Sequence, residues 1–384
     1  MSKFNESLDK SWTLDLLKEM VAIPSIVGEE RELAYYLRTK LEELGLDARL
    51  QEVEDERFNV IASMAFTEDG PTLMFNSHMD TVPVCEGWST DPFKPVIREN
   101  KLYGLGSADM KGGIACALGS IKAILDANKP LTGKLFFTGV VGEEAYSKGA
   151  KSLLETEVAD VDAVIIGEPH IGRGEGAIPL GITGKILYNI NVKGRSAHGF
   201  RPEEGVNAID EAALILLNLD KLRLGKHPKF NANYCTLKIE GGYEVYSVMV
   251  PDRCRIEINR MLVPGEDATS AVRDMDDLIN SLDLKSDVEV LTKPPFYKSF
   301  EMDPDTPFIE VFNEAYKAVF GIKPDYTYST SITDGNVFTG EGGIPSIHLG
   351  PGGGGIHQPD EYVHLNDLEP VMETYALTAD KFLR

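Results

Sequence analysis

The sequence is short of positive charge, of cysteine and of long apolar runs. Its 38 Lys and Arg face 61 Asp and Glu, a formal net charge of −23. A surface so acidic repels nucleic acid and anionic membranes, so neither is expected as a partner. No stretch approaches the roughly 18 consecutive apolar residues of a membrane span, and the opening MSKFNESLDKSW lacks the apolar segment of a signal peptide. Cys85, Cys116, Cys235 and Cys254 lie far apart, with no CxxC pair and no disulfide framework. A cytoplasmic, reduced setting is the expectation, and each cysteine reads as a small buried hydrophobe. Gly350–Gly355 has no P-loop lysine, which rejects phosphate cradling.

What is present is a globular composition, 42% hydrophobic and 26% charged, over 384 residues. That length exceeds one ordinary core and predicts two domains. Helical spacing runs over Ser11–Met20 and Glu29–Leu44, the latter stopped by Gly45. Apolar strands are predicted at Asn59–Ala62, Leu73–Phe75, Gly133–Val141 and Val161–Ile166, with an apolar helix over Ile114–Leu125. Several of these segments end in the same way, with a glycine or polar turn and then an acid or His. An open α/β sheet places functional groups at the carboxyl ends of its strands in this manner.

After about Leu180 the texture changes. Strands at Lys185–Val192, Thr236–Glu240, Arg253–Leu262 and Asp287–Leu291 and helices at Glu203–Leu222 and Glu266–Leu282 give the order β-α-β-β-α-β, a ferredoxin-like unit. The predicted division is a discontinuous catalytic domain, 1–180 and 295–384, with an inserted domain over 181–294. Pro294-Pro295 marks the return, followed by a helix at Phe308–Phe320 and a strand at Ser346–Leu349.

The stretch LMFNSHMDTVPV, Leu73–Val84, anchors the chemistry. Residues two apart in extended backbone point the same way, so His78 and Asp80 face one site. Alone, the pair reads equally well as surface groups at a strand end. Asp109, Glu143-Glu144, Glu168 and His357 repeat the theme, and together they offer imidazoles and carboxylates with no thiolate. Such donors suit two divalent ions, zinc first and cobalt or manganese as alternatives, sharing a carboxylate and clamping a water. Two ions bring +4, while Asp109, Glu144, Glu168 and a bridging hydroxide bring −4, so the shell balances. Adjacent Glu143 and Glu144 diverge, so one can bind metal while the other serves as general base and then acid.

NSHMDTVP, YGLGSADMKGG, TGVVGEEAYSKGA, IIGEP, GRSAHGFRPEEGVNAI and LGPGGGGIHQPDEY resemble the zinc-dependent aminoacylase family, which includes acetylornithine deacetylase, succinyl-diaminopimelate desuccinylase and glutamate carboxypeptidase. The motifs keep the family's order from about residue 10 to the end. The resemblance implies a mixed-sheet, di-zinc aminopeptidase-like α/β domain with an inserted lid and dimerisation domain, hence a homodimer. It implies His78 and Glu168 on one metal, Glu144 and His357 on the other, and Asp109 bridging the two, with the Asp109-Met110 peptide bond cis. It gives Asp80 a place behind His78, Glu143 the general acid/base role, and His198 a hydrogen bond to the developing oxyanion.

The chain departs from the family where substrate is read. Val248, before Pro251, replaces the family's Asn, and Met261 stands where its carboxylate-binding Arg is expected. Arg260, Arg201 or Arg195 is left to supply that charge, and Gly352 and Gly353 to approach the substrate closely. Glu168 in place of Asp resembles the deacylase and carboxypeptidase branches. The leading expectation is hydrolysis of the amide of an N-acyl-amino acid by a hydroxide bridging two metals. A metallo-exopeptidase cutting a dipeptide or C-terminal residue is the alternative, and a metal-binding protein without catalysis a third.

Overall fold

The computed structural model describes residues 4 and 6–384. The chain divides into two compact units. One runs to Leu180 and resumes over Met302–Thr327 and Thr333–Arg384; the other is Gly181–Glu301 with Tyr328–Ile332.

The first unit opens with α1 (Lys10–Val21) and α2 (Arg31–Glu43), then β1 (Asp47–Glu54), β2 (Arg57–Ala65), β3 (Thr72–His78), α3 (Gly112–Ala127), β4 (Lys134–Val140) and β5 (Ala163–Ile166). The second unit holds β6 (Gly184–Lys193), α4 (Ala208–Leu217), β7 (Tyr234–Gly241), β8 (Arg253–Leu262), α5 (Ala268–Asn280) and β9 (Asp287–Tyr297). The chain returns to the first unit with α6 (Pro307–Phe320), β10 (Ser346–His348) and α7 (Leu365–Phe382).

In the first unit a six-stranded sheet has the order β1-β2-β4-β3-β5-β10. β3 is parallel to β4 and β5, and β10 is parallel to β5, while β2 is antiparallel to β1 and β4. The central strands read TLMFNSH, KLFFTGV and AVII and are buried along nearly their whole length. Continuous apolar runs of this kind belong to parallel strands covered on both faces. Phe75 meets Tyr375 of α7 at 4.9 Å between ring centroids, and Met74, Phe136, Val140, Val164 and Ile166 share one core cluster with Met110.

In the second unit β6, α4, β7, β8, α5 and β9 follow one another as β-α-β-β-α-β, with sheet order β7-β8-β6-β9 and antiparallel neighbours throughout. Burial alternates along β8, and its inward Cys254, Ile256 and Ile258 pack with Ala212 and Ile215 of α4 and Met275 of α5. Asp267 and Ser270 cap α5 reciprocally.

Some predicted boundaries move. The helix expected over Glu203–Leu222 is α-helical only over Ala208–Leu217, because the Asn207 side chain caps its start and 3₁₀ turns flank it. β1 has no counterpart in the sequence reading; its half-exposed DARLQEVE lacks an apolar run. β9 continues through Pro294-Pro295 to Tyr297, a passage open to proline because β9 is a sheet edge. The chain therefore rejoins the first unit at Met302 and not at 295.

Candidate metal centre

Strand register brings the first ligand candidates together. His78 ends β3 opposite Val140 of β4, and Asn76 lies opposite Ile166 of β5. The residues that follow, Glu143-Glu144 after β4 and Glu168 after β5, therefore emerge beside His78. Asp109 comes from the turn before α3, where Asp109-Met110 is cis. The first turn of α3 sits hard against the end of β5. A Cβ on Gly113 would lie 2.0 Å from the Gly167 carbonyl oxygen.

His78 Nε2 lies 3.0 Å from Asp109 Oδ1 and 3.8 Å from Glu168 Oε1. His357 Nε2 lies 2.7 Å from Glu144 Oε1 and 3.3 Å from Asp109 Oδ2. The two oxygens of Asp109 thus face different imidazoles. Donor atoms of His78, Asp109 and Glu144 fall within 4.8 Å of one another, as do those of His78, Glu143 and Glu168. His78 is buried and its Nδ1 is held 2.9 Å from the Asp80 carbonyl, which leaves Nε2 to face the carboxylates.

The Asp80 carboxylate does not hold that imidazole closely, its nearer oxygen being 3.8 Å from Nδ1. Instead it accepts the backbone N–H groups of Glu143, at 3.2 Å, and Glu144, at 3.0 Å. Asp80 therefore orients the paired glutamates, whereas the sequence reading placed its side chain behind His78.

The carboxylates and imidazoles of the cluster act strongly on one another. Burial, reinforced by Glu168, Asp334 and Glu144, holds the Glu143 carboxyl well above the usual carboxylate range. Burial and the Asp109 charge do the same to Glu168. Burial works against Asp109 too, but hydrogen bonds from His357 and His78 pull it below the usual range. Contacts with Asp109 and Glu144 push His357 up to about 10. Carboxylates this crowded cost free energy unless positive charge lies among them. The oxygen and imidazole donors fit divalent ions of the zinc, cobalt or manganese kind.

Outside this cluster the expectations fare differently. Arg260 is fully buried in the second unit, donating to Tyr188 Oη (2.8 Å), Glu266 Oε1 (2.6 Å) and Asp274 Oδ2 (3.1 Å). It faces the helices and is not available to a substrate, because β8 points alternate side chains to opposite faces. Arg201 is exposed, 3.5 Å from Glu204. Gly352 donates its N–H to Asp367, and Gly353 pairs with Val363, where a Cβ would strike the Tyr362 carbonyl oxygen and the Ala108 side chain. Both glycines thus have packing reasons for their size. His198 is exposed in the second unit, and its Nδ1 accepts from the Phe200 N–H at 3.2 Å.

Three residues that the sequence reading did not single out support the cluster. Asp334 is buried, accepts from Asn76 Nδ2 at 3.0 Å, and is pushed up to about 6 by burial. Lys111 donates to the Met20 and Ile23 carbonyls, which anchors the turn behind Asp109. Glu361 accepts from the backbone of that same turn. Glu361 falls within HQPDEY, but nothing local tells that its partners are about 250 positions upstream.

Imidazoles and carboxylates converging beyond the parallel strands of a mixed α/β sheet suit a metal-dependent hydrolase. The chain belongs to peptidase family M20/M25/M40, whose family model matches residues 74–381. It is 30% identical to an acetylornithine deacetylase of Salmonella paratyphi B over 386 aligned residues, covering 94% of this chain and 95% of the relative. It is 26% identical to a succinyl-diaminopimelate desuccinylase of Sulfurovum sp. over 376, covering 96% and 98%. Among solved structures it is similar to a tripeptidase from Staphylococcus aureus, with a TM-score of 0.81 and 25% identity over 98% of this chain and 100% of that one.

Proposed function

We propose that the protein hydrolyses the amide of an N-acyl-amino acid using two divalent ions, zinc by preference. His78 and Glu168 would hold one ion, Glu144 and His357 the other, with Asp109 shared. The observation that carries this reading is that the two oxygens of Asp109 face His78 and His357 separately. When bound, the ions supply charge that polarises the scissile carbonyl and acidifies a water.

Glu143 is the general base of this proposal. It stands beside the proposed ligands, and its backbone N–H, with that of Glu144, is fixed by Asp80. Its carboxylate takes the proton of the attacking water and returns it to the leaving amine, which departs neutral. His198 is the proposed oxyanion donor. Its Nδ1 accepts from the Phe200 N–H, which leaves Nε2 as the nitrogen that would donate a hydrogen bond to the oxyanion. Cys116 and Cys254 are buried as expected but Cys85 and Cys235 are exposed, and the unpaired thiols of all four support a cytoplasmic setting.

The full-length similarity to two deacylases favours this reading, while the structural likeness to a tripeptidase supports exopeptidase action as the second. With Arg260 engaged in the core, neither acyl group nor side chain is assigned. The zinc-loaded protein assayed on N-acetyl-amino acids, N-succinyl-amino acids, dipeptides and tripeptides decides between the two. Glu143→Ala should keep its metal content and lose turnover by roughly 10²-fold or more; undiminished turnover would refute the role.

A further inference from the structure

The turn carrying Asp109 and the loop carrying His357 come from positions about 250 residues apart, yet their side chains meet at 3.3 Å. One buried side chain ties them. Glu361, only 2% exposed, accepts the Gly106 N–H on Oε2 at 2.8 Å and the Ala108 and Asp109 N–H groups on Oε1 at 2.9 and 3.0 Å. Its own carbonyl accepts the Gly104 N–H at 3.0 Å. Four residues upstream in the same loop is His357, at φ +59°, and just downstream Tyr362–His364 pairs with Lys101–Tyr103. On the far side of the turn Lys111 Nζ holds the Met20 and Ile23 carbonyls at 3.0 and 2.9 Å.

A carboxylate with both oxygens taken by peptide N–H groups is a strong, directional anchor. It is also not among the side chains whose donor atoms converge at His78. Resting on the two-metal reading above, we infer that Glu361 is a positioning residue that sets the distance between Asp109 and His357, and thereby the affinity of the centre for divalent metal. A glutamine in its place keeps size and shape but turns an NH₂ group toward a peptide N–H, so donor meets donor and the turn shifts.

The test strips the full-length chain of metal and measures zinc affinity by competition with a chromophoric chelator, for the wild type, Glu361→Gln and Glu361→Asp. The thermal midpoint of each metal-free form and the hydrogen exchange of the Gly106, Ala108 and Asp109 amides are measured alongside. Zinc binding in Glu361→Gln should weaken by about tenfold to a hundredfold, the range usual for residues that orient metal ligands. The three amides should exchange faster, while the metal-free midpoint moves little. Should that variant not fold, Glu361→Asp, which keeps the charge but draws it back by one methylene, is read the same way. Wild-type affinity in both variants, or a loss of affinity matched by an equal loss of metal-free stability, overturns the role of Glu361 alone. A wild-type chain that takes up no divalent ion overturns the two-metal reading instead.

Discussion

Arg260 and Met261 are neighbours in sequence and opposite in duty. Along β8 they point to different faces, so Arg260 enters the core of the second unit and meets Glu266 and Asp274, while Met261 lies on the other side, partly exposed. Removing one member of a buried ion pair leaves its partners charged and desolvated. Arg260→Leu should therefore destabilise the second unit by about 3–5 kcal/mol, read as an earlier denaturant transition. Zinc content measured before that transition should not change; a normal transition with a raised KM would restore Arg260 to substrate binding. Asp80 makes a related point. Its spacing from His78 is plain in the sequence, but whether its carbonyl or its carboxylate serves the imidazole depends on Glu143 and Glu144 arriving from the next strand.

Among the elements, the strands and helices of the first sheet were legible because their apolar runs are long and their endings repeat. The edge strand β1 was not, since it buries one face at most and carries no such run. The helix after His198 was read too long for a related reason, its flanking residues being helix-compatible while Asn207 and Asn218 set the limits through side-chain and backbone caps. Close packing of α3 against β5 gives a testable consequence. A Cβ at Gly113 cannot coexist with the Gly167 carbonyl oxygen 2.0 Å away, so Gly113→Ala should force the helix back at a cost of about 3 kcal/mol. Asp109 and Glu168 flank that contact, and chelator competition should show weaker zinc binding in the variant than in the wild type. Unaltered stability would mean that the contact is slack.

For the molecule as a whole, the inserted unit presents an uncovered sheet edge. Leu237 and Ile239 of β7 are 56% and 47% exposed, and Leu217 at the end of α4 is 80% exposed. An apolar edge of this kind invites pairing with another strand, which favours the homodimer that the family resemblance implies. Sedimentation should find a dimer for the wild type and a monomer for the double variant Leu237→Lys, Ile239→Lys, whose charges oppose edge pairing. A wild-type monomer at micromolar concentration would sink the proposal. The net charge of −23 works against any such association, so added salt should strengthen the dimer rather than weaken it.

The sequence by itself determined the alternation of strands and helices, the inserted β-α-β-β-α-β order and the chemical kind of the site. Each of these is written in local patterns: apolar periodicity, glycine before acid, and the choice of imidazole and carboxylate over thiolate. Tertiary structure alone decided that Asp109 turns one oxygen to each imidazole, that Arg260 belongs to the core, and that Glu361 grips the turn beside Asp109. Those are contacts between positions tens to hundreds of residues apart, and their geometry is set by strand register and helix seating, which no local pattern encodes.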